Sequence, residues 1–220
     1  MHISADEPLC EFALRDWSAL SFVICIHTSI SKMALLSRLN NPPNWSYQSD
    51  ETEEIELDSG TSQYKTIKGY MPLSLLRNGL RVCRLQNPYL YHRYMLRKAE
   101  YVARGIPVTE QTLVHATASH KVDSIIQNNL DWRLVCRDKY GKGVSFATNT
   151  AYANKECSKF NGYNRAMLFA KVLIGNKFPG YQSRKLPPDN YDTTTGNTNV
   201  IVKYYDDEFY PEHVAYYNLI

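Results

Sequence analysis

At 220 residues the chain can bury one good-sized core and a small appendage, and its 44% hydrophobic and 21% charged residues exclude disorder of the whole. A net charge of +3, with Lys and Arg mixed among Asp and Glu, builds no extended basic surface, so nucleic acid is not indicated as a partner. The five cysteines, Cys10, Cys25, Cys83, Cys136 and Cys157, contain no CxxC pair of zinc type; they read as reduced thiols in an intracellular protein, nuclear or cytoplasmic, and no metal is expected.

Residues 1–55 read as an N-terminal extension and acidic linker, poorly ordered, and residues 56–220 as the folded domain. The extension holds the apolar run "ALSFVICIHTSI" (Ala19 to Ile30), which is shorter than the roughly 20 residues of a membrane helix. Asp6, Glu7 and Glu11 precede it where a secretion signal would be positive, so no membrane association is expected. It closes on the polar turn "NNPPNWS" and the acidic run "SDETEEIE".

The regular signals begin after Gly69. "GLRVCRLQ" alternates as a half-buried strand and stops at Asn87-Pro88, a good N-cap and first helical residue. The spacing predicts a helix of about four turns, with Tyr91, Tyr94, Met95 and Val102 buried and Arg93, Arg97 and Lys98 in water. "TLVHAT" is a strand, and "SHKVDSIIQNNL" a helix capped by Ser119. "GVSFA" is a strand and "NTAYANKEC" a helical segment behind it. "AMLFAKVLIG", "TNVIVKYY" and "HVAYYNLI" are strands joined by Gly-, Pro-, Asn- and Asp-rich connections. Early helices followed by strands, without βαβ alternation, indicate the α+β class.

There is no GxGxxG, P-loop, HExxH or GxSxG. Instead, short patterns follow one another in a fixed order: "RLQNPYLYHRYMLRK", "LVHAT", "LDWR", "YGKGVSFA", "LFAKVLIGN", "YDTTTGNTNVIVKY" and "DEFYPEHV". Over about residues 60–220 this series resembles the catalytic domain of the poly(ADP-ribose) polymerase family, particularly its mono-ADP-ribosylating members.

The resemblance implies an ADP-ribosyltransferase fold of two packed antiparallel sheets with flanking helices. It also implies a reaction in which an acceptor side chain of a protein displaces nicotinamide from NAD and keeps the ADP-ribose. The alternative is a binding or scaffolding module of the same fold without turnover.

His115 matches the family histidine that bonds a ribose hydroxyl; its bland alternative is a core histidine bonded to a neighbouring carbonyl. Ala116 stands where glycine usually clamps the nicotinamide carboxamide through its backbone, and Thr117 adds a hydroxyl. Arg133 matches a residue near the adenosine end, with a surface ion pair as its alternative, and Tyr140 would line the cleft. Ser145 replaces a tyrosine that supports nicotinamide and ribose. Ala153 and Glu156 replace a carboxamide-binding serine and a stacking aromatic, for which Tyr152 or Phe160 could substitute. Val200 occupies the position of the chain-elongating glutamate, which implies mono- rather than poly-ADP-ribosylation. Glu208 and Glu212 read as solvated loop carboxylates.

Overall fold

The computed structural model describes residues 40–45, 52–135, 138–157, 162–182 and 184–219. The apolar run Ala19 to Ile30, Cys10, Cys25, Cys136 and Phe160 lie outside the described residues. Every regular element belongs to one compact unit, Asn44–Ile220.

Strand formation follows the two-residue period of the sequence. In Leu80–Gln86 (β2), Val82 and Cys83 point to opposite faces, as do Leu113 and Val114 in Thr109–Ala118 (β3), Met167 and Leu168 in Asn164–Ile174 (β5), and Val214 and Ala215 in Phe209–Asn218 (β9). One member of each pair joins a core cluster with Phe146 and Phe209, the other a second cluster with Ile67 and Phe169. The sheet is therefore covered on both sides, and each of the Val, Leu and Met side chains contributes about 1.5 to 3 kcal/mol by leaving water.

The remaining strands are β1 (Glu53–Glu56), β4 (Val144–Ala147), β6 (Lys177–Pro179), β7 (Thr193–Gly196) and β8 (Val200–Lys203). They assemble in the order β1-β2-β9-β5-β3-β4-β8-β7-β6. The two sheets implied by the resemblance are the halves of this nine-stranded array, joined where β3 and β4 pair through Val114 and Ala147 alone. All neighbours are antiparallel except β6 and β7, which run parallel. The end of the acidic run, expected to be linker, supplies β1, paired to β2 from Glu53↔Gln86 to Glu56↔Cys83. Its carboxylates are tolerated because β1 is an edge strand with Glu54 beside Arg81.

The helices are α1 (Ser62–Tyr70), α2 (Leu73–Leu76), α3 (Pro88–Ala103), α4 (Val122–Asn128) and α5 (Thr150–Glu156). Asn87 caps α3 as its sequence predicts, its Oδ1 accepting from Leu90 N at 3.0 Å. The buried stripe of α3 is rotated from the expected one: Leu90, Tyr94 and Tyr101 are inside, while Met95 and Val102 are exposed. Ser119 is no cap either, because a 3-10 turn over Ser119–Lys121 precedes α4 and its entry carries no side-chain cap.

The rotation of α3 brings Arg97 inward, to 2.9 Å from Glu208 Oε1. Glu208 is fully buried rather than solvated; its Oε1 also accepts from Tyr101 OH, and Lys203 Nζ lies 2.8 Å from its Oε2. Lys203, equally buried, meets Asp192 Oδ1 at 2.6 Å. Glu212 is half-buried against Lys171 at 3.0 Å. The two described cysteines, Cys83 and Cys157, are buried, and burial pushes the Cys83 thiol up to about 12. No helix among the described residues is long and apolar enough to cross a membrane.

Candidate active site

The seam between the half-sheets places the candidate residues. β3 pairs with β5 from Thr109 to Ala118, but with β4 only at Val114↔Ala147. Beyond that point the strands part, and the edge of β3 from Ala116 to Ala118 stands outside the β4 ladder. At the fork, His115 Nδ1 lies 2.9 Å from the Ser145 carbonyl oxygen, and the His115 ring meets Phe146 edge-on at 6.3 Å. A carbonyl only accepts, so Nδ1 carries the proton and Nε2 of the neutral ring is an acceptor. His115 and Ser145 thus meet through the main chain of Ser145, whose side chain is exposed.

Ala116 is half-buried and packs against the cluster that includes Ala153 and, at its margin, Tyr152. Thr117 is 5% exposed. Register on the other flank of β4 sets Ser145 opposite Val202 and Ala147 opposite Val200. Val200 is buried with Val202 and Tyr204, and Tyr140 and Tyr152 pack against that group. Tyr140 also covers Gly196, where a Cβ would fall 2.1 Å from its ring, so its placement is fixed by close approach. Gly143 is similarly constrained, since a Cβ there would lie 2.3 Å from the Lys203 carbonyl oxygen.

α5 starts at the N-cap Asn149, whose Oδ1 accepts from Tyr152 N at 2.8 Å. A cluster of asparagines not singled out by sequence ties this helix to the β7–β8 turn. Asn149 Nδ2 donates to Asn199 Oδ1 at 3.0 Å, Thr148 N donates to Asn199 O at 3.0 Å, and Asn197 Nδ2 donates to Tyr152 OH at 3.3 Å. The only trace of this in the sequence was the turn-forming composition of "TGNTN".

The structure therefore gathers His115, Ala116, Thr117 and Ser145 at the fork, with Tyr140, Tyr152, Ala153 and Val200 around it. Glu156 is exposed at the end of α5. Arg133 sits apart in the 3-10 turn Trp132–Leu134, exposed, with its Nε 2.7 Å from Asp131 Oδ1. That bond holds the Asp131 carboxyl below its usual range. Among the described residues no group of three or more His, Cys, Asp or Glu is placed to hold a metal ion.

Comparison with known proteins gives the family. The human protein mono-ADP-ribosyltransferase PARP11 is 28% identical over 210 residues, covering 79% of this chain and 62% of the relative. Mouse protein mono-ADP-ribosyltransferase PARP12 is 28% identical over 185 residues, covering 76% of this chain and 25% of the relative. The chain thus spans less than two thirds of the length of either. The family model of the poly(ADP-ribose) polymerase catalytic domain matches residues 49–213, well over half of the 220. The chain belongs to the poly(ADP-ribose) polymerase catalytic-domain family.

Proposed function

We propose that the chain is an NAD-dependent mono-ADP-ribosyltransferase acting on a protein side chain inside the cell. The observation that carries this reading is the fork of β3 and β4, where an oriented imidazole adjoins an open strand edge. Nicotinamide presents a carboxamide, with N–H donors and a carbonyl acceptor, and the backbone N–H and C=O of Ala116 offer the complementary pair. The added methyl of Ala116 does not remove these groups.

NAD supplies a ribose C1′ bound to a cationic leaving group. The acceptor side chain forms the new bond to C1′, the C–N bond breaks with its electron pair going to nicotinamide, and the acceptor's proton, where it has one, leaves to water. His115 Nε2 meets a ribose hydroxyl, accepting when the ring is neutral and donating when it is protonated. Positive charge grows on the ribose as the bond breaks, so the gain lies in holding ribose and carboxamide in one geometry. Val200 offers no carboxylate to accept a proton from an incoming ribose hydroxyl, which favours a single transfer over chain growth. Tyr152, held by Asn149 and Asn197, is the aromatic ring that stands in for the stacking ring absent at Glu156.

The test uses labelled NAD with the purified chain and its His115→Ala variant. Label should appear on protein with the native chain and fall by about a hundredfold or more with the variant. No label from the native chain, together with no rise in melting temperature on adding NAD, would rule out the transferase and leave a binding module of the same fold.

A further inference from the structure

Two runs whose charges the reaction does not use meet beside the glycine turn. "DKYGK" begins at Asp138 and "KFPGYQSRK" at Lys177; between them they carry Lys139, Lys142, Lys177, Arg184 and Lys185 against the single carboxylate Asp138. The fold joins the runs directly. Lys142 N donates to Lys185 O at 2.9 Å, and a Cβ on Gly180 would lie 2.2 Å from the Tyr140 carbonyl oxygen.

None of these five cations has a carboxylate within ion-pair distance among the described residues. Arg81, Arg97, Lys98, Arg104, Arg133, Lys171 and Lys203 each have one, so what sets the rim apart is that five such cations fall on two joined runs. The four lysines are exposed. Arg184 is braced rather than paired: its guanidinium lies 4.9 Å from the Phe178 ring and 5.1 Å from the Tyr181 ring, and Nη2 donates to Tyr181 OH at 2.9 Å. Lys139 Nζ lies over the Tyr140 ring at 5.2 Å. Like charges along one rim repel one another, Glu156 offsetting only that of Lys139, and an anionic partner relieves the rest.

Tyr140, within the first run, packs against the group that contains Val200 and Tyr152, so this rim adjoins the candidate site. We propose that the rim docks an acidic stretch of the protein acceptor and selects targets by it, an inference that rests on the transferase reading. A single-stranded nucleic acid fits less well. Its bases need ring faces to stack on, and Arg184 over Phe178 and Tyr181 and Lys139 over Tyr140 compete with them for those faces.

Fluorescence anisotropy tests this with the full chain and three labelled probes: a peptide of alternating Glu and Ser, the same peptide with Gln for Glu, and oligo-dT. The Glu peptide should bind, more weakly as salt rises, and the Gln peptide should not. Lys177→Glu with Lys185→Glu should weaken the Glu peptide by about fivefold to tenfold. Lys177→Gln with Lys185→Gln should produce a smaller loss in the same direction. Equal binding of the Gln peptide, tighter binding of oligo-dT, or no loss in a double variant that melts like the native chain overturns the proposal. Label transfer and the NAD-dependent melting shift are read separately: absence of both while the Glu peptide still binds would refute the transferase and leave the rim as an acidic-peptide site.

Discussion

His115 became a candidate because its pattern stood among six others in order, not because of anything in its own neighbourhood. Its bland alternative, a histidine bonded to a nearby carbonyl, turned out to describe the same atoms: the bond to Ser145 O at 2.9 Å orients the ring at the fork. Sequence could not supply the tautomer, because the partner is a main-chain group thirty residues away. Ser145 contributes through its backbone, and its side chain, being exposed, leaves room for a larger one. Ser145→Tyr should therefore keep the His115 bond and add a ring face worth about 0.5 to 1.5 kcal/mol, tightening NAD by roughly twofold to tenfold. Isothermal titration on both proteins checks this, and unchanged or weaker binding in the variant would show that the ring has no place to stack.

Elements with strong local signals were legible, and those held by partners were not. α3 announced itself through Asn87-Pro88, whereas its orientation did not: apolar spacing favoured Tyr91, Met95 and Val102, but Arg97 and Tyr101 turn inward to Glu208. β6 and β7 were unreadable because "KFP" and "TTTG" are short and lack alternation, and β1 because three of its four residues are glutamates. The Asn87 cap joins local and distant structure, since Nδ2 also donates to Ile126 O at 2.8 Å. Asn87→Ala removes a cap worth about 1 kcal/mol and strands a buried carbonyl at about 1 to 3 kcal/mol. A loss of about 2 to 4 kcal/mol in urea unfolding is expected, whereas Ser119→Ala, which removes no cap, should change stability by under about 0.5 kcal/mol.

Over the whole molecule, the half-sheets share a core cluster in which Phe146 of β4 meets Phe209 of β9, and two further contacts among the described residues fasten them. One is the Val114↔Ala147 pair beside His115; the other is the buried charge cluster, in which Lys203 from β8 meets Asp192 beside β7 and Glu208 beside β9, and Glu208 meets Arg97 from α3. Asp192 also accepts from Gly175 N at 3.2 Å and Asn176 N at 2.8 Å, tying in the end of β5. Burial alone would push the Asp192 carboxyl up, but the Lys203 ammonium, with the Thr193 hydroxyl and the Gly175 N–H, holds it below its ordinary value. Because the folded value is depressed, its stabilising contribution is complete above the unfolded value of about 4 and disappears as pH falls through the folded one. Lys203→Met leaves Asp192 without its cation and Glu208 with Arg97 alone, and should cost about 3 to 5 kcal/mol at pH 7, a melting drop on the order of 10 °C. In that variant Asp192 is raised instead, so its linkage changes sign: protonation relieves the buried charge, and the gap between the two proteins narrows as pH falls toward about 4. Melting curves from neutral to acid pH check both parts; a gap constant with pH would mean that Lys203 acts by packing rather than by its charge.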